Sequence, residues 1–170
     1  MCTTNHLGGH AHCIAGAPNG LHQYARLHDG RFPAHPDGYG AALMLMPEDT
    51  WWRPFTGPGT DPDALEIAKR TGITPAEGSF GRVYVQGLNL KSNPDIVILF
   101  DQRPTPGGDH NPLPYRMWRA RGREVVTLLG AIRFIPETEW PAFARAQVEL
   151  LVKEGFVREE AERLYGLATR

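Results

Sequence analysis

Apolar positions along the chain change period twice. Before Gly81 they recur at helical spacing in short stretches broken by Gly and Pro. Leu21, Tyr24, Ala25 and His28 share one face of a helix over 21–28, with Asn19 as its cap and Gly30 just past its end. Upstream, Gly8, Gly9, Gly16 and the Pro18-Asn19-Gly20 break leave no strong period. Asp61 as N-cap, Pro62 in the first turn and Gly72 beyond the last predict a second helix, with Leu65, Ile67 and Ala68 on it and Lys69-Arg70 at its negative end. The stretch 46–62 between them, with Trp51, Trp52, Pro54 and Phe55, reads as an ordered loop.

From Arg82 the pattern becomes strand-like. Residues 82–86 and 95–100 are β-branched and aromatic runs bounded by Gly, Asn and Pro. After a Pro- and Gly-rich loop over 103–114, the segments 115–120, 124–129 and 131–135 predict an antiparallel meander, with Arg121-Gly122-Arg123 joining the first two. The period then returns to helical. Thr138 caps a helix beginning at Glu139, and Trp140, Phe143, Ala144, Val148, Leu151 and Val152 line its apolar face up to Gly155. A last helix over 158–168 buries Ala161, Leu164, Tyr165 and Ala168. The expected class is α+β: an N-terminal helical segment, an antiparallel sheet of four to five strands, and two C-terminal helices. Residues 1–136 form the α+β domain with a His-rich start, and 137–170 a helical extension packed on it.

Composition narrows the function classes. The 170 residues are 41% hydrophobic and 22% charged, the balance of one globular domain. A net charge of −1 argues against a bulk nucleic-acid coat protein. The longest apolar runs, 41–46 and 96–100, are too short to span a bilayer, and no signal peptide opens the chain. Cys2 and Cys13 make no disulfide framework.

Three clusters carry candidate chemistry. His6, His10, His12 and Cys13 offer imidazole and thiolate ligands suited to zinc or copper, which would make the chain a metal-binding protein or metal-dependent enzyme. Asp101, Asp109 and Asn111 offer oxygen ligands suited to calcium. Between Arg103 and Arg133 six arginines face two acids, interleaved with Tyr115 and Trp118, a pattern that binds single-stranded nucleic acid when it lies on one face. Arg116, Arg119, Arg121, Trp140 and Tyr165 are candidates for contact with a partner chain. His110 stands alone, and neither a G-x-S-x-G nor an HExxH motif, a phosphate loop or a nucleophilic Cys motif occurs, so a non-catalytic role without a cofactor is expected.

The residues also carry a family resemblance. Cys2 with Asn5-x-Leu7, then Tyr24-Ala25 and His28-Asp29-Gly30-Arg31-Phe32-Pro33, resemble the segment after the membrane helix in bacterial prepilin-type, type II secretion pseudopilin-like proteins. Arg82-Val83-Tyr84-Val85-Gln86-Gly87-Leu88 is similar to their central strand, and Pro94 to Asp101 to the strand that follows. Gly107-Gly108-Asp109-His110, leading to Val125 through Ile135, is similar to their terminal His loop and hairpin, with Leu129-Gly130 where the family has Asp-Gly. The resemblance spans most of 2–147 and leaves out the family's leader and membrane helix. It implies a pilin-like structural subunit that associates with itself or with other pilin-like secretion subunits. An anchored form belongs to the cell envelope, and a chain natively starting at Met1 to the cytoplasm. Tyr24, Phe32, Trp118 and Trp140 then become determinants of the fold.

Overall fold

The structure, a computed structural model, describes residues 14–46, 52–106 and 121–167. At its centre is an antiparallel sheet of β1 (Arg82–Tyr84), β2 (Val97–Asp101), β3 (Thr105–Pro106), β4 (Arg121–Thr127) and β5 (Ile132–Pro136). β4 pairs with β5 along one edge, and with β2 and then β3 along the other, so β3 continues the line of β2. β1 flanks β2. Around the sheet lie α1 (Ala17–Leu27), α2 (Tyr39–Met44), α3 (Trp52–Phe55), α4 (Pro62–Thr71), α5 (Trp140–Lys153) and α6 (Arg158–Leu164). The class is α+β, as the sequence predicts. No described helix is long and apolar enough to cross a membrane.

Register and side-chain alternation sort the core into two layers. Arg82 and Asp101 lie opposite each other, as do Tyr84, Leu99, Val126 and Ile132 in turn, and these share one face. That face is covered from the N-terminal side. Phe55 of α3 meets the Tyr84 ring edge-on, the Tyr84 hydroxyl donates to Pro33 O at 3.0 Å, and the 3-10 turn Ile14–Gly16 ahead of α1 packs on β4. Ile14, Ala17, Leu21 and Ala25 are fully buried there.

The opposite face carries the row Val83, Phe100, Val125, Arg133 and is closed by the C-terminal helices. Phe100 stacks on Tyr165 at 4.7 Å between ring centres and tilts against Trp140 at 5.3 Å. Gln147 of α5 spans the point where the β2–β4 register slips: it accepts from Val97 N–H at 2.8 Å and donates to Asp95 O. Residues from both layers, and from both sides of position 136, belong to one hydrophobic cluster.

Several expected boundaries shift. α1 starts at Ala17, ahead of Asn19, with Gly16 in the cap position and Pro18 in the first turn, where a missing N–H costs nothing. α5 begins after Glu139, which makes no side-chain cap, so Thr138 does not cap it. Arg121-Gly122-Arg123 is part of β4 rather than a connection between two strands. Gly122 fits because a Cβ there would lie 2.5 Å from Ile135 O and from the Phe134 ring. α4 follows expectation closely: Asp61 Oδ1 accepts from Ala64 N–H at 3.1 Å, and Gly72 takes the left-handed conformation at φ 71. Its Ile67, however, is exposed.

Candidate functional site

Among the described residues an open cleft of about 860 Å³ lies where the loop after α1 approaches the C-terminal helices. Ala34, His35, Pro36 and Tyr39 form one wall; Phe156 and α6 residues Glu160, Arg163 and Leu164 form the other. Val83, Tyr84 and Phe100 lie at its base, with Glu77, Gln102 and Arg123 at one end.

The wall formed by the loop after α1 is held by hydrogen bonds to distant segments. Gln86, just past β1, accepts from His35 N–H at 3.0 Å and donates to His35 O at 3.1 Å, as a neighbouring strand would. Gly38, at φ 98, brings the next peptide against Glu77, whose carboxylate accepts from Tyr39 N–H at 2.9 Å. The Tyr39 hydroxyl donates to Glu77 O, and burial, then the Glu77 charge, push that phenol far above its ordinary range. His35 Nδ1 lies 3.2 Å from Asp37 N and 3.6 Å from the Asp37 carboxylate.

Arg123, at the far end, is fully engaged. It forms a two-pronged pair with Glu137 at 3.2 Å, donates to Gln102 O at 2.8 Å and lies 4.4 Å over the Trp140 ring. The described lining thus offers hydrogen-bonding groups, charges of both signs and aromatic faces. The hydroxyls of its tyrosines are taken by main-chain carbonyls, Tyr39 by Glu77 O, Tyr84 by Pro33 O and Tyr165 by Val97 O, and the lining includes no Ser, Thr or Cys. Burial pushes the Tyr84 and Tyr165 phenols up as well, so all three stay protonated and serve as donors.

Of the residues singled out by sequence, Tyr165 lines the cleft. His6, His10, His12, Cys13, Asp109, His110, Asn111, Arg116, Trp118 and Arg119 lie outside the described residues. Among the described residues no group of three His, Cys, Asp or Glu side chains is placed to hold a metal ion. Asp101 is 1% exposed: one oxygen accepts from Arg82 Nε at 3.1 Å and the other from Glu124 N–H at 3.0 Å. Its carboxylate is therefore bound into the sheet.

Trp140 and Tyr165 are corrected as partner-contact candidates. They are 5% and 1% exposed, and the Trp140 indole N–H donates to Tyr165 O. Their bulk is used inside the molecule, against Phe100. Arg121 is exposed, with a long contact of 3.4 Å to Pro104 O. Of the described arginines in the 103–133 stretch, Arg123 lies over the Trp140 ring and Arg133 over the Phe143 ring. Sequence reasoning missed the cleft, because His35, Tyr39, Glu77 and Gln86 have no fixed spacing. The polar Gln86 closing an otherwise apolar strand run is the one local hint.

Compared with protein-family models, curated proteins and solved structures, the chain matches none.

Proposed function

We propose that this chain is a non-catalytic structural or assembly subunit, resembling the soluble domain of a type II secretion pseudopilin and acting through protein–protein contacts with its own copies or other pilin-like subunits. The observation that carries the reading is the placement of α1. Its buried face, from Ala17 to Ala25, joins the hydrophobic core, while a bare leucine lies near each of its ends. Leu27 at its C-terminus is 75% exposed, and Leu129, 74% exposed, stands in the β4–β5 turn, whose Gly130 approaches Pro18. Large apolar side chains left in water at both ends of one helix suit a surface that another subunit covers. His22 supports the same arrangement, since its Nε2 lies 2.9 Å from Leu128 O and ties the helix to that turn.

The test is the solution mass by light scattering at several concentrations, with metal content read on the same sample. The reading expects metal-free protein that associates, and Leu27→Asp with Leu129→Asp that weakens association without lowering the melting temperature. Stoichiometric zinc or copper, lost in a His10→Ala/His12→Ala variant, would overturn it in favour of a metal protein. Unchanged association in the leucine variants would remove α1 and its neighbouring turn as the contact.

A further inference from the structure

The sheet has an open edge. Among the described residues β5 pairs with β4 alone, and the bonds Thr127 N–H to Ala131 O and Glu137 N–H to Arg121 O fix which residues face that partner. By alternation, Arg133 and Ile135 bond inward to β4, and the N–H and C=O of Ile132 and Phe134 point outward. No described residue bonds to these four groups. Pro136 ends the row, with no N–H to offer and its carbonyl taken by Glu139 N–H.

A second copy fits this edge poorly. The two-fold antiparallel register that pairs Ile132 with Phe134 satisfies all four groups on each strand, but sets Arg133 directly opposite Arg133. That position is a pair without mutual hydrogen bonds, where side chains come closest and like charges repel. Shifting the register by two toward Pro136 loses a donor. Arg133 is exposed, and among the described residues its side chain's one interaction is with the Phe143 ring, 5.8 Å away. The edge is thus shaped against itself and toward a negative charge.

We propose that the β5 edge is a strand-addition site for an extended segment of a different chain, antiparallel to β5, with an Asp or Glu opposite Arg133 and apolar residues on either side of it. This names the partner chemistry of the assembly reading and rests on it. Main-chain bonds to Ile132 and Phe134 supply the attachment, and the acid supplies the choice of partner.

The experiment uses the full chain and two synthetic eight-residue peptides of alternating Thr and Val, one with a central Glu and one with a central Lys. Amide exchange and titration are followed by NMR. The Glu peptide is expected to bind roughly fivefold tighter than the Lys peptide, to slow exchange at Ile132 and Phe134, and to lose that preference to the Lys peptide in Arg133→Glu. Equal binding of the two peptides to the wild-type chain, or protection confined to other residues, overturns the proposal without needing the variant to fold. Protection of Ile132 and Phe134 without peptide also overturns it, by a second copy if it grows with concentration and by the chain's own residues if it does not. Association in light scattering with no peptide bound at β5 removes the strand site and leaves the assembly reading standing.

Discussion

At the scale of single residues, the most consequential pair is Arg82 with Asp101. They face each other across β1 and β2 with side chains 4% and 2% exposed, and Arg82 also donates to Pro54 O at 2.6 Å. Asn has one acceptor oxygen where Asp101 uses two, for Arg82 and for the Glu124 N–H, so Asp101→Asn is expected to cost about 1–3 kcal/mol in chemical denaturation. Burial pushes the Asp101 carboxyl above its ordinary 3.8, against the downward pull of Arg82 and of the Glu124 N–H. The folded protein therefore holds that proton more tightly than the unfolded chain does. The contribution of Asp101 to stability then falls as pH rises from 3.8 to its folded value and is level above it. The stability gap between wild type and Asp101→Asn should narrow as pH climbs through that window. A gap that widens there would mean that Arg82 outweighs burial. Sequence marked Asp101 as a possible cation ligand because a carboxylate looks the same whether it meets calcium or guanidinium; only the strand pairing with Arg82, nineteen residues earlier, decides.

At the scale of elements, legibility followed how local the cause is. The α4 boundaries were readable from Asp61, Pro62 and Gly72, since capping is settled within a few residues. The strands were readable as runs, because β2 is buried on both faces and so shows continuous apolar character. α2 and α3 were not foreseen: they are six and four residues long and held by tertiary contacts rather than by their own periodicity. The role of 121–123 was misread for a related reason. Arg-Gly-Arg looks like a turn, yet the glycine is there because Phe134 and the Ile135 carbonyl leave no room for a side chain across the β4–β5 pair. Gly122→Val tests this at the element level. It should lower stability by about 1–3 kcal/mol through overpacking, and broaden NMR signals of β5 before those of α4. An unaffected β5 would mean that the close approach is not what selects glycine.

For the whole molecule the question is whether the residues after 136 are an appendage or half of the fold. The sheet answers through its two faces. One is filled by the turn ahead of α1, by α3 and by the loop bearing Phe32 and Pro33; the other by α5 and α6, where Phe100 packs on Trp140 and Tyr165. The main-chain donor exposed by the β2 irregularity is satisfied from α5 by Gln147, and the Val97 carbonyl accepts from the Tyr165 hydroxyl at 3.2 Å. A sheet this narrow, with strands of two to seven residues, gains too little from one layer to stand alone. Both layers should then melt together. Trp140→Ala, which empties the contact between Phe100, Tyr165 and Arg123, is expected to cost about 3–5 kcal/mol. The loss should appear equally in the amide exchange of α5 and of α1, on opposite faces of the sheet. If α1 amides kept their wild-type protection while α5 opened, residues 137–170 would be a separable extension. An equal loss on both faces makes the C-terminal helices an integral layer of the fold, because the sheet between them then has no stable state with one face bare.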